Sequence, residues 1–187
     1  MTEQQLQFKK FPKTPRLFRK CLITEKLDGT NAQVVVTEDG QVYAGSRNRY
    51  ITPIDDNYGF AAWVYYNQEE LKKLGVGTHY GEWWGQGIQR KYGMQEKRFS
   101  LFNATRWCEA DQTPKEVSEG RFQQVVPSCC NVVPVLYDGI YSEDAVVSAL
   151  YNLKNSGSVA SGNEFKDPEG IIVHMYSSCQ NYKVTLD

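Results

Sequence analysis

The fold and the candidate chemistry of this chain centre on one stretch, Thr24-Glu25-Lys26-Leu27-Asp28-Gly29-Thr30-Asn31-Ala32-Gln33-Val34. A lysine stands two residues before an Asp-Gly pair, and the alternation of apolar and polar residues after that pair predicts a strand. We expect Asp28 and Gly29 to form a tight turn between two strands and Lys26 to project from a rigid strand edge. An amine held in this position can act as a nucleophile.

A lysine attacks phosphorus only as the neutral amine, and the free side chain, with a pKa near ~10.4, is almost entirely protonated at neutral pH. Burial, a neighbouring cation or a metal ion would favour the neutral form. Taken alone, the Lys-x-Asp-Gly pattern is more typical of a solvated lysine beside a hairpin turn. The rest of the chain therefore has to decide its function.

The segment Glu25-Lys26-Leu27-Asp28-Gly29-Thr30-Asn31 resembles the nucleophile motif of the covalent nucleotidyltransferases, which include DNA ligases and mRNA capping enzymes. Its Thr-Asn ending is most similar to the ATP-dependent RNA ligases. The resemblance implies that Lys26 accepts AMP from ATP. It also implies that Glu25, Asp28 and Asn31 belong to the nucleotide-binding site.

Three later residues match ligase positions that contact the nucleotide. After a predicted strand, Arg47 and Arg49 can point to one side and donate to phosphate oxygens, or they can be solvated loop arginines. The resemblance favours Arg47 as a contact to the nucleotide or to an RNA phosphate. It also implies that Glu82, beside the paired tryptophans of Trp83-Trp84, accepts from a ribose hydroxyl and that Phe102 stacks on adenine.

The last two matches are expected to lie around the phosphate. Glu169 precedes the apolar run Gly170-Ile171-Ile172-Val173 and matches the glutamate with which the ligases bind a divalent metal, Mg²⁺ with Mn²⁺ as the alternative. Lys183 matches one of two lysines, separated by one residue, that contact the phosphate under attack. Either Asn181 or Thr185 occupies the position of the other lysine, so this chain places less positive charge there.

Turn and cap signals predict the other elements. A hairpin is predicted at Glu38-Asp39-Gly40, a helix over 58–74 capped by Asp55 or Asp56, a strand over 132–137 with Pro134 early or at an edge, and a helix over 143–154 capped by Ser142. With the resemblance, these elements predict an α+β nucleotidyltransferase (adenylyltransferase) domain. Its antiparallel sheets would be flanked by helices, with the nucleotide cleft between the sheets.

The length of 187 residues favours a single domain, residues 1–187, without a separate carboxy-terminal domain. We therefore expect either a minimal ligase or the catalytic portion of a longer one. The net charge of -1 argues against a generic nucleic-acid coat, because such proteins carry a broad cationic surface. A local basic stretch, residues 8–20, interleaves cations with aromatic rings and either follows a phosphate backbone or caps the core. Five cysteines without a C-x-x-C pair, no signal peptide and no long apolar run predict a cytoplasmic protein.

We therefore expect an ATP-dependent RNA ligase, with no membrane association, whose partner is RNA with 5′-phosphate and 3′-hydroxyl ends. AMP would pass from Lys26 to the 5′-phosphate, and the 3′-hydroxyl would then expel it. The alternatives are a DNA nick ligase or a guanylyltransferase of the same superfamily, and a non-catalytic module that binds RNA ends.

Overall fold

The computed structural model describes residues 10–14 and 19–186, so the basic stretch 8–20 lies partly outside the described residues. One sheet, which we call the lysine sheet, contains four strands in which every neighbouring pair is antiparallel. In spatial order these strands are β12 (Val135–Ile140), β1 (Lys20–Lys26), β13 (Gly170–Met175) and β14 (Gln180–Thr185).

A second sheet, which we call the large sheet, contains six strands. In spatial order these are β11 (Asn131–Val132), β6 (Lys97–Leu101), β5 (Gly77–Gly85), β2 (Thr30–Val36), β3 (Val42–Ser46) and β4 (Tyr50–Ile51). All pairs are antiparallel except β6 with β11, so the expectation of purely antiparallel sheets is wrong for this edge. Two small sheets complete the strands: β7 (Trp107–Cys108) pairs parallel with β10 (Gln124–Val125), and β8 (Glu116–Ser118) pairs antiparallel with β9 (Arg121–Phe122).

Few helices accompany these mixed sheets, which gives an α+β arrangement. Helix α1 (Phe60–Tyr66) packs against the large sheet, where Phe60 contacts the rings of Trp83 and Phe99. Helix α3 (Glu143–Ser156) packs against the lysine sheet and starts as predicted, because the Ser142 side chain accepts from the Ala145 backbone amide. Each sheet therefore has a helix on the face that forms its core.

The helix predicted over 58–74 is broken into three pieces. Helix α1 ends at Tyr66, α2 (Gln68–Leu71) follows it, and a short 3₁₀ segment, Lys72–Leu74, ends before Gly75. The break lies at Asn67, whose side-chain amide donates to the Trp63 carbonyl at 2.8 Å and so competes with the helical hydrogen bonds. Asp56, rather than Asp55, caps α1 by accepting from two backbone amides of the first turn.

Two expectations about strands are also wrong. The strand predicted over 132–137 is split at Val133 and Pro134, and its halves belong to different sheets. Proline cannot donate to a ladder, so the chain changes sheets there. Likewise, Asp28 and Gly29 do not close a hairpin, because β1 and β2 lie in different sheets and Lys26 ends an interior strand. The hairpin predicted at Glu38-Asp39-Gly40 is confirmed by the pairing of β2 with β3.

All five cysteines are free thiols, and the Sγ atoms of Cys129 and Cys130 lie 3.9 Å apart. The polar segment 108–122 contains the exposed strands β8 and β9. Within residues 10–14 and 19–186, no helix has both the length and the apolar character needed to cross a bilayer.

We expect helix α3 to stabilise the lysine sheet chiefly through Leu153, which is buried against Ile23 and Ile171 of β1 and β13. Leu153→Ala would lower the free energy of unfolding by about 2–5 kcal/mol, because it removes buried methyl groups and leaves a cavity. Val147→Ala is the matched control, since Val147 lies on the same helix but is 62% exposed; it should change the value by less than ~0.5 kcal/mol. Urea unfolding measures both, and equal losses would contradict this account of the packing.

Candidate active site

A cleft separates the lysine sheet from the large sheet and has a volume of about 1260 Å³. Ligand pockets typically measure ~300–1,000 Å³, so the cleft has room for more than one small ligand. The lysine sheet contributes Leu22, Thr24, Lys26, Ile172, His174, Asn181 and Lys183, and the large sheet and its loops contribute Asp28, Asn31, Gln33, Arg47, Tyr80, Glu82, Phe102 and Asn103. Eight of the nine residues that the sequence assigned to binding or catalysis thus line one cavity: Glu25, Lys26, Asp28, Asn31, Arg47, Glu82, Phe102 and Lys183.

The remaining one, Glu169, forms an ion pair with Lys26 in the cleft. The Lys26 Nζ donates to Glu169 Oε1, and the two side chains are 23% and 17% exposed. The other carboxylate oxygen, Oε2, is buried and has no hydrogen-bond partner among the described residues. A buried carboxylate oxygen without a partner calls for an explanation, such as an ion that binds there.

The backbone around this ion pair is tightly constrained. Lys26 lies opposite Gly170 in the β1–β13 ladder, and the Glu169 carbonyl accepts from the Leu186 amide at 3.0 Å. Gly170 has φ +151, and a Cβ there would lie 2.2 Å from the Val184 carbonyl oxygen. The close approach at Gly170 is therefore made by backbone, and only glycine fits.

Glu82 forms the centre of a hydrogen-bond network on the large sheet. Its carboxylate accepts from the Gly29 amide at 3.1 Å and from Asn31 Nδ2 at 3.0 Å. The Asn31 carbonyl oxygen in turn accepts from Arg47 Nε at 2.9 Å. Burial raises the pKa of Glu82 to about 7, although these hydrogen bonds and the nearby Lys26 favour the ionised form. Glu82, Asn31 and Arg47 are thus held as one unit facing the lysine.

Asp28 is fixed by residues that the sequence did not single out as partners. Its backbone amide donates to the Tyr92 hydroxyl at 2.8 Å, and its carboxylate accepts from Arg90 Nε at 3.2 Å. Arg90 also forms an ion pair with Asp167, at 3.1 Å, just before Glu169. The sequence has two adjacent cations, Arg90 and Lys91, but no local signal indicates that Arg90 joins the lysine loop to the glutamate loop. Arg90 bridges the segments that carry Lys26 and Glu169.

Phe102 and Lys183 lie on opposite walls of the cleft. Phe102 is 43% exposed although it is apolar, whereas Phe99 is fully buried. Lys183 lies opposite Ile172 on β14 and lines the cavity together with Asn181. Asn181 Oδ1 is 2.7 Å from His174 Nδ1, so the position left open beside Lys183 is occupied by an amide paired with a histidine.

Glu25 is the most deeply buried of the predicted site residues. Successive side chains of a strand alternate, so Glu25 points away from the face that carries Lys26. It is 1% exposed, its carboxylate accepts from the Ala160 amide at 3.0 Å, and burial raises its pKa. Its Oε1 atom is buried without a partner among the described residues, and a role of Glu25 in nucleotide binding stays a prediction.

The side chains of the paired tryptophans beside Glu82 do not line the cleft. Trp83 packs against Phe60 and Trp63 of α1, and the Trp84 indole donates to Ser100 Oγ at 2.9 Å in the interior. The Trp83 backbone excludes a side chain at position 29, because a Cβ at Gly29 would lie 2.4 Å from the Trp83 carbonyl oxygen. Glycine at this position lets the lysine loop approach the large sheet.

No group of three or more His, Cys, Asp or Glu side chains in the described part of the chain could hold a metal ion by itself. Glu169 nevertheless suits a divalent cation, because it offers a buried, unpartnered oxygen. Mg²⁺ is often bound by one or two carboxylates together with substrate phosphates, so a single protein carboxylate is sufficient.

Comparison with known proteins gave matches at two levels. A family model described as RNA ligase matches residues 19–184. The chain is also similar to solved structures of Naegleria gruberi RNA ligase mutants. One with ATP and Mn has a TM-score of 0.58, and one with AMP and Mn has a TM-score of 0.57. Each is 18% identical, and each alignment covers 89% of this chain and 49% of the ligase chain.

No curated protein sequence matches the chain. The likeness to the solved structures supports the fold alone, and the chain spans about half the length of the ligases that it matches. The family model, in contrast, covers most of the chain and includes every predicted site residue. The resemblance inferred from the lysine motif is confirmed, and the chain belongs to the RNA ligase family.

Proposed function

We propose that this chain contains the nucleotidyltransferase domain of an ATP-dependent RNA ligase, which forms a covalent lysyl-AMP intermediate at Lys26. The ion pair of Lys26 with Glu169, whose second carboxylate oxygen is buried without a partner, is the observation that carries the proposal. The Naegleria gruberi structures with ATP or AMP and Mn support a nucleotide and a divalent cation as ligands.

In the first step the Lys26 amine attacks the α-phosphorus of ATP. A phosphorus–nitrogen bond forms, the bond to the bridging oxygen breaks, and pyrophosphate leaves with the electron pair. Lys26 forms an ion pair with Glu169, yet only the neutral amine has a lone pair for attack. Separation of the ion pair and loss of a lysine proton are therefore part of activation.

Two transfers follow. An oxygen of the RNA 5′-phosphate attacks the phosphorus of the adenylate, the phosphorus–nitrogen bond breaks, and the Lys26 amine is released. A 3′-hydroxyl then attacks the activated 5′-phosphate, loses its proton and displaces AMP. Lys183 and Arg47 line the same cleft and can offset the negative charge that develops on the phosphate oxygens in each step.

The remaining site residues have supporting roles in the proposal. Glu169 would hold Mg²⁺, or Mn²⁺, and a bound divalent cation would neutralise charge on the phosphate oxygens. Glu82, fixed by Asn31, would accept from a ribose hydroxyl, and the exposed ring of Phe102 would stack on adenine. Asp28, held by Arg90, keeps the lysine loop in place.

We treat residues 1–187 as one nucleotidyltransferase domain in this proposal. Its partner would be RNA with 5′-phosphate and 3′-hydroxyl ends, which the family membership supports. The five free thiols support a reducing, cytoplasmic environment.

The nucleophile can be tested by incubating the protein with α-labelled ATP and Mg²⁺, followed by denaturing electrophoresis and peptide mapping. We expect label on the peptide that contains Lys26 and none on Lys26→Arg, because a guanidinium is not a nucleophile at neutral pH. Lys20→Arg is the matched control on the same strand, where Lys20 pairs with Asp138, and it should be labelled normally.

Persistent labelling of a folded Lys26→Arg protein would reject Lys26 as the nucleophile. Labelling from GTP in place of ATP would point to guanylyltransfer instead. A folded wild-type protein that takes label from neither nucleotide, with Mg²⁺ or with Mn²⁺, would reject the enzymatic proposal as a whole.

Phe102 tests the adenine site. Phe102→Ala should raise the ATP concentration needed for half-maximal labelling by roughly 5- to 100-fold, because base–aromatic stacking contributes about 1–3 kcal/mol. The rate at saturating ATP should change much less, since the ring does not touch the reacting phosphorus. Phe122→Ala is the control, because Phe122 is 59% exposed on β9. An unchanged ATP dependence in Phe102→Ala would remove this residue from the site.

Burial of Glu82 should lower the free energy of unfolding once the pH exceeds the pKa of a free glutamate. Such a loss of stability would be consistent with a role in ligand binding. Between the free glutamate pKa of ~4.3 and about 7, the unfolded chain has lost a proton that folded Glu82 keeps. The free energy of unfolding contributed by this group therefore falls as pH rises through that window. In Glu82→Gln this loss is absent, so the variant should gain roughly 3 kcal/mol relative to wild type between about pH 4.5 and about pH 8.

Urea unfolding at several pH values measures this difference. Glu38→Gln, in the exposed β2–β3 turn, makes the same chemical change away from the cleft and should not reproduce it. A difference between Glu82→Gln and wild type that does not vary with pH would contradict the titration of Glu82 in this window.

A further inference from the structure

Three exposed tyrosines extend from the cleft across the outer strands of the large sheet. Tyr43, Tyr50 and Tyr80 are 50%, 65% and 59% exposed, and none has a part in the reaction proposed above. We call these residues the tyrosine row. Large rings on one sheet face next to an active-site cleft are typical of an interaction surface.

The register of the large sheet places the row on the face that lines the cleft. Tyr80 lies opposite Gln33, Gln33 lies opposite Gly45, and Gly45 lies opposite Tyr50 on four neighbouring strands. Directly opposite residues share a face, and both Gln33 and Tyr80 line the cleft. Tyr50 is thus three strand spacings, ~14 Å, from Tyr80 on a continuous surface.

The sheet surface between the rings of Tyr50 and Tyr80 is flat. A Cβ at Gly45 would lie 2.6 Å from Gln33 Cγ, so the Gln33 side chain lies across a position that has no side chain of its own. The Gln33 amide is held there because Nε2 donates to the Ser46 carbonyl at 2.9 Å. A planar group can therefore lie between Tyr50 and Tyr80.

Tyr43 extends the same surface outward. Its ring contacts that of Tyr50 edge to face, with centroids 6.2 Å apart and an interplanar angle of 62°. Tyr43 lies opposite Val35, and Val35 lies opposite Thr78, so this second line of the surface is also uncharged. The two rings offer stacking faces without a carboxylate between them.

These features fit unpaired nucleobases. Every base has a flat π-face that stacks on exposed aromatic rings, whereas a duplex keeps its bases stacked inside and presents only its backbone and groove edges. Arg47 follows β3 at the boundary between the row and the Glu82 network, where it can contact the phosphates of a strand that enters the cleft. The row is continuous with the proposed phosphate site.

We propose that the tyrosine row binds unpaired nucleotides next to the RNA end that is joined, so that this ligase prefers single-stranded ends to a nick in a duplex. This inference rests on the proposed function, because it takes the cleft as the place where RNA ends react.

Tyr50→Ala and Tyr80→Ala test the row by fluorescence anisotropy with 5′-phosphorylated RNA of roughly 10–15 nucleotides, single-stranded or as a nicked duplex. Each variant should bind the single strand roughly 5- to 100-fold more weakly, and the corresponding Phe variants should bind within about two-fold of wild type. The salt dependence of binding should be unchanged, because no phosphate contact is lost.

Tyr66→Ala is the matched control. Tyr66 is 83% exposed and forms a similar edge-to-face pair with Tyr65, at 5.6 Å, but it lies on α1, which packs on the other face of the large sheet. Its removal should leave RNA binding unchanged. A loss equal to that in the row variants would show a general effect of surface tyrosines and would overturn the proposal.

Labelling of Lys26 from ATP without RNA separates this inference from the proposed function. Tyr50→Ala should be labelled at the wild-type level, because Tyr50 does not line the cleft. Unchanged single-strand binding by normally labelled row variants, or wild-type binding that favours the nicked duplex, would overturn the row and leave the ligase proposal intact. Failure of wild type to take label would reject the ligase proposal, while the binding measurements would still decide whether the row holds single strands.

Discussion

The antiparallel pairing of β1 with β13 is the constraint on which the candidate site depends. Its register sets Lys26 opposite Gly170 and thus beside Glu169, although 143 residues separate the lysine from the glutamate in sequence. Both strands are interior strands, and their other faces are buried by Ile23 and Ile171 against α3. Ladder hydrogen bonds on both sides and a packed helix behind therefore hold together two charged groups that water would otherwise separate.

The charges around this pair are costly to the protein alone. Glu169 has a buried oxygen without a partner, and burial raises the pKa of Glu82 on the facing sheet. One ammonium group thus faces two partly desolvated carboxylates, and a folded core gains nothing from such an arrangement. Polar groups that are preorganised at the expense of stability are characteristic of sites that act on charged ligands.

Local signals were enough to predict the elements whose hydrogen bonds are local. The Ser142 cap of α3 and the β2–β3 hairpin follow from a few adjacent residues. The break at Asn67 and the separation of β1 from β2 into two sheets depend on backbone competition and long-range pairing, which no short pattern encodes. The same holds for the contact between Arg90 and Asp28.

The candidate site was predicted mainly through the family resemblance, because a lysine before an Asp-Gly pair has no distinctive chemistry until the fold supplies Glu169.

The two sheets divide the recognition of a nucleotide between them in the function that we propose. The lysine sheet carries Lys26 and Lys183, with Glu169 just before β13, whereas the large sheet and its loops present the rings of Phe102 and the tyrosine row beside Arg47 and Glu82. A nucleotide has the same two parts, an anionic phosphate and a flat base. If the phosphates of a bound RNA strand face the lysine sheet, its bases must face the large sheet. Only an RNA strand with unpaired bases can contact both sheets at once. The division between the walls therefore links the site of chemistry to the form of RNA that can reach it.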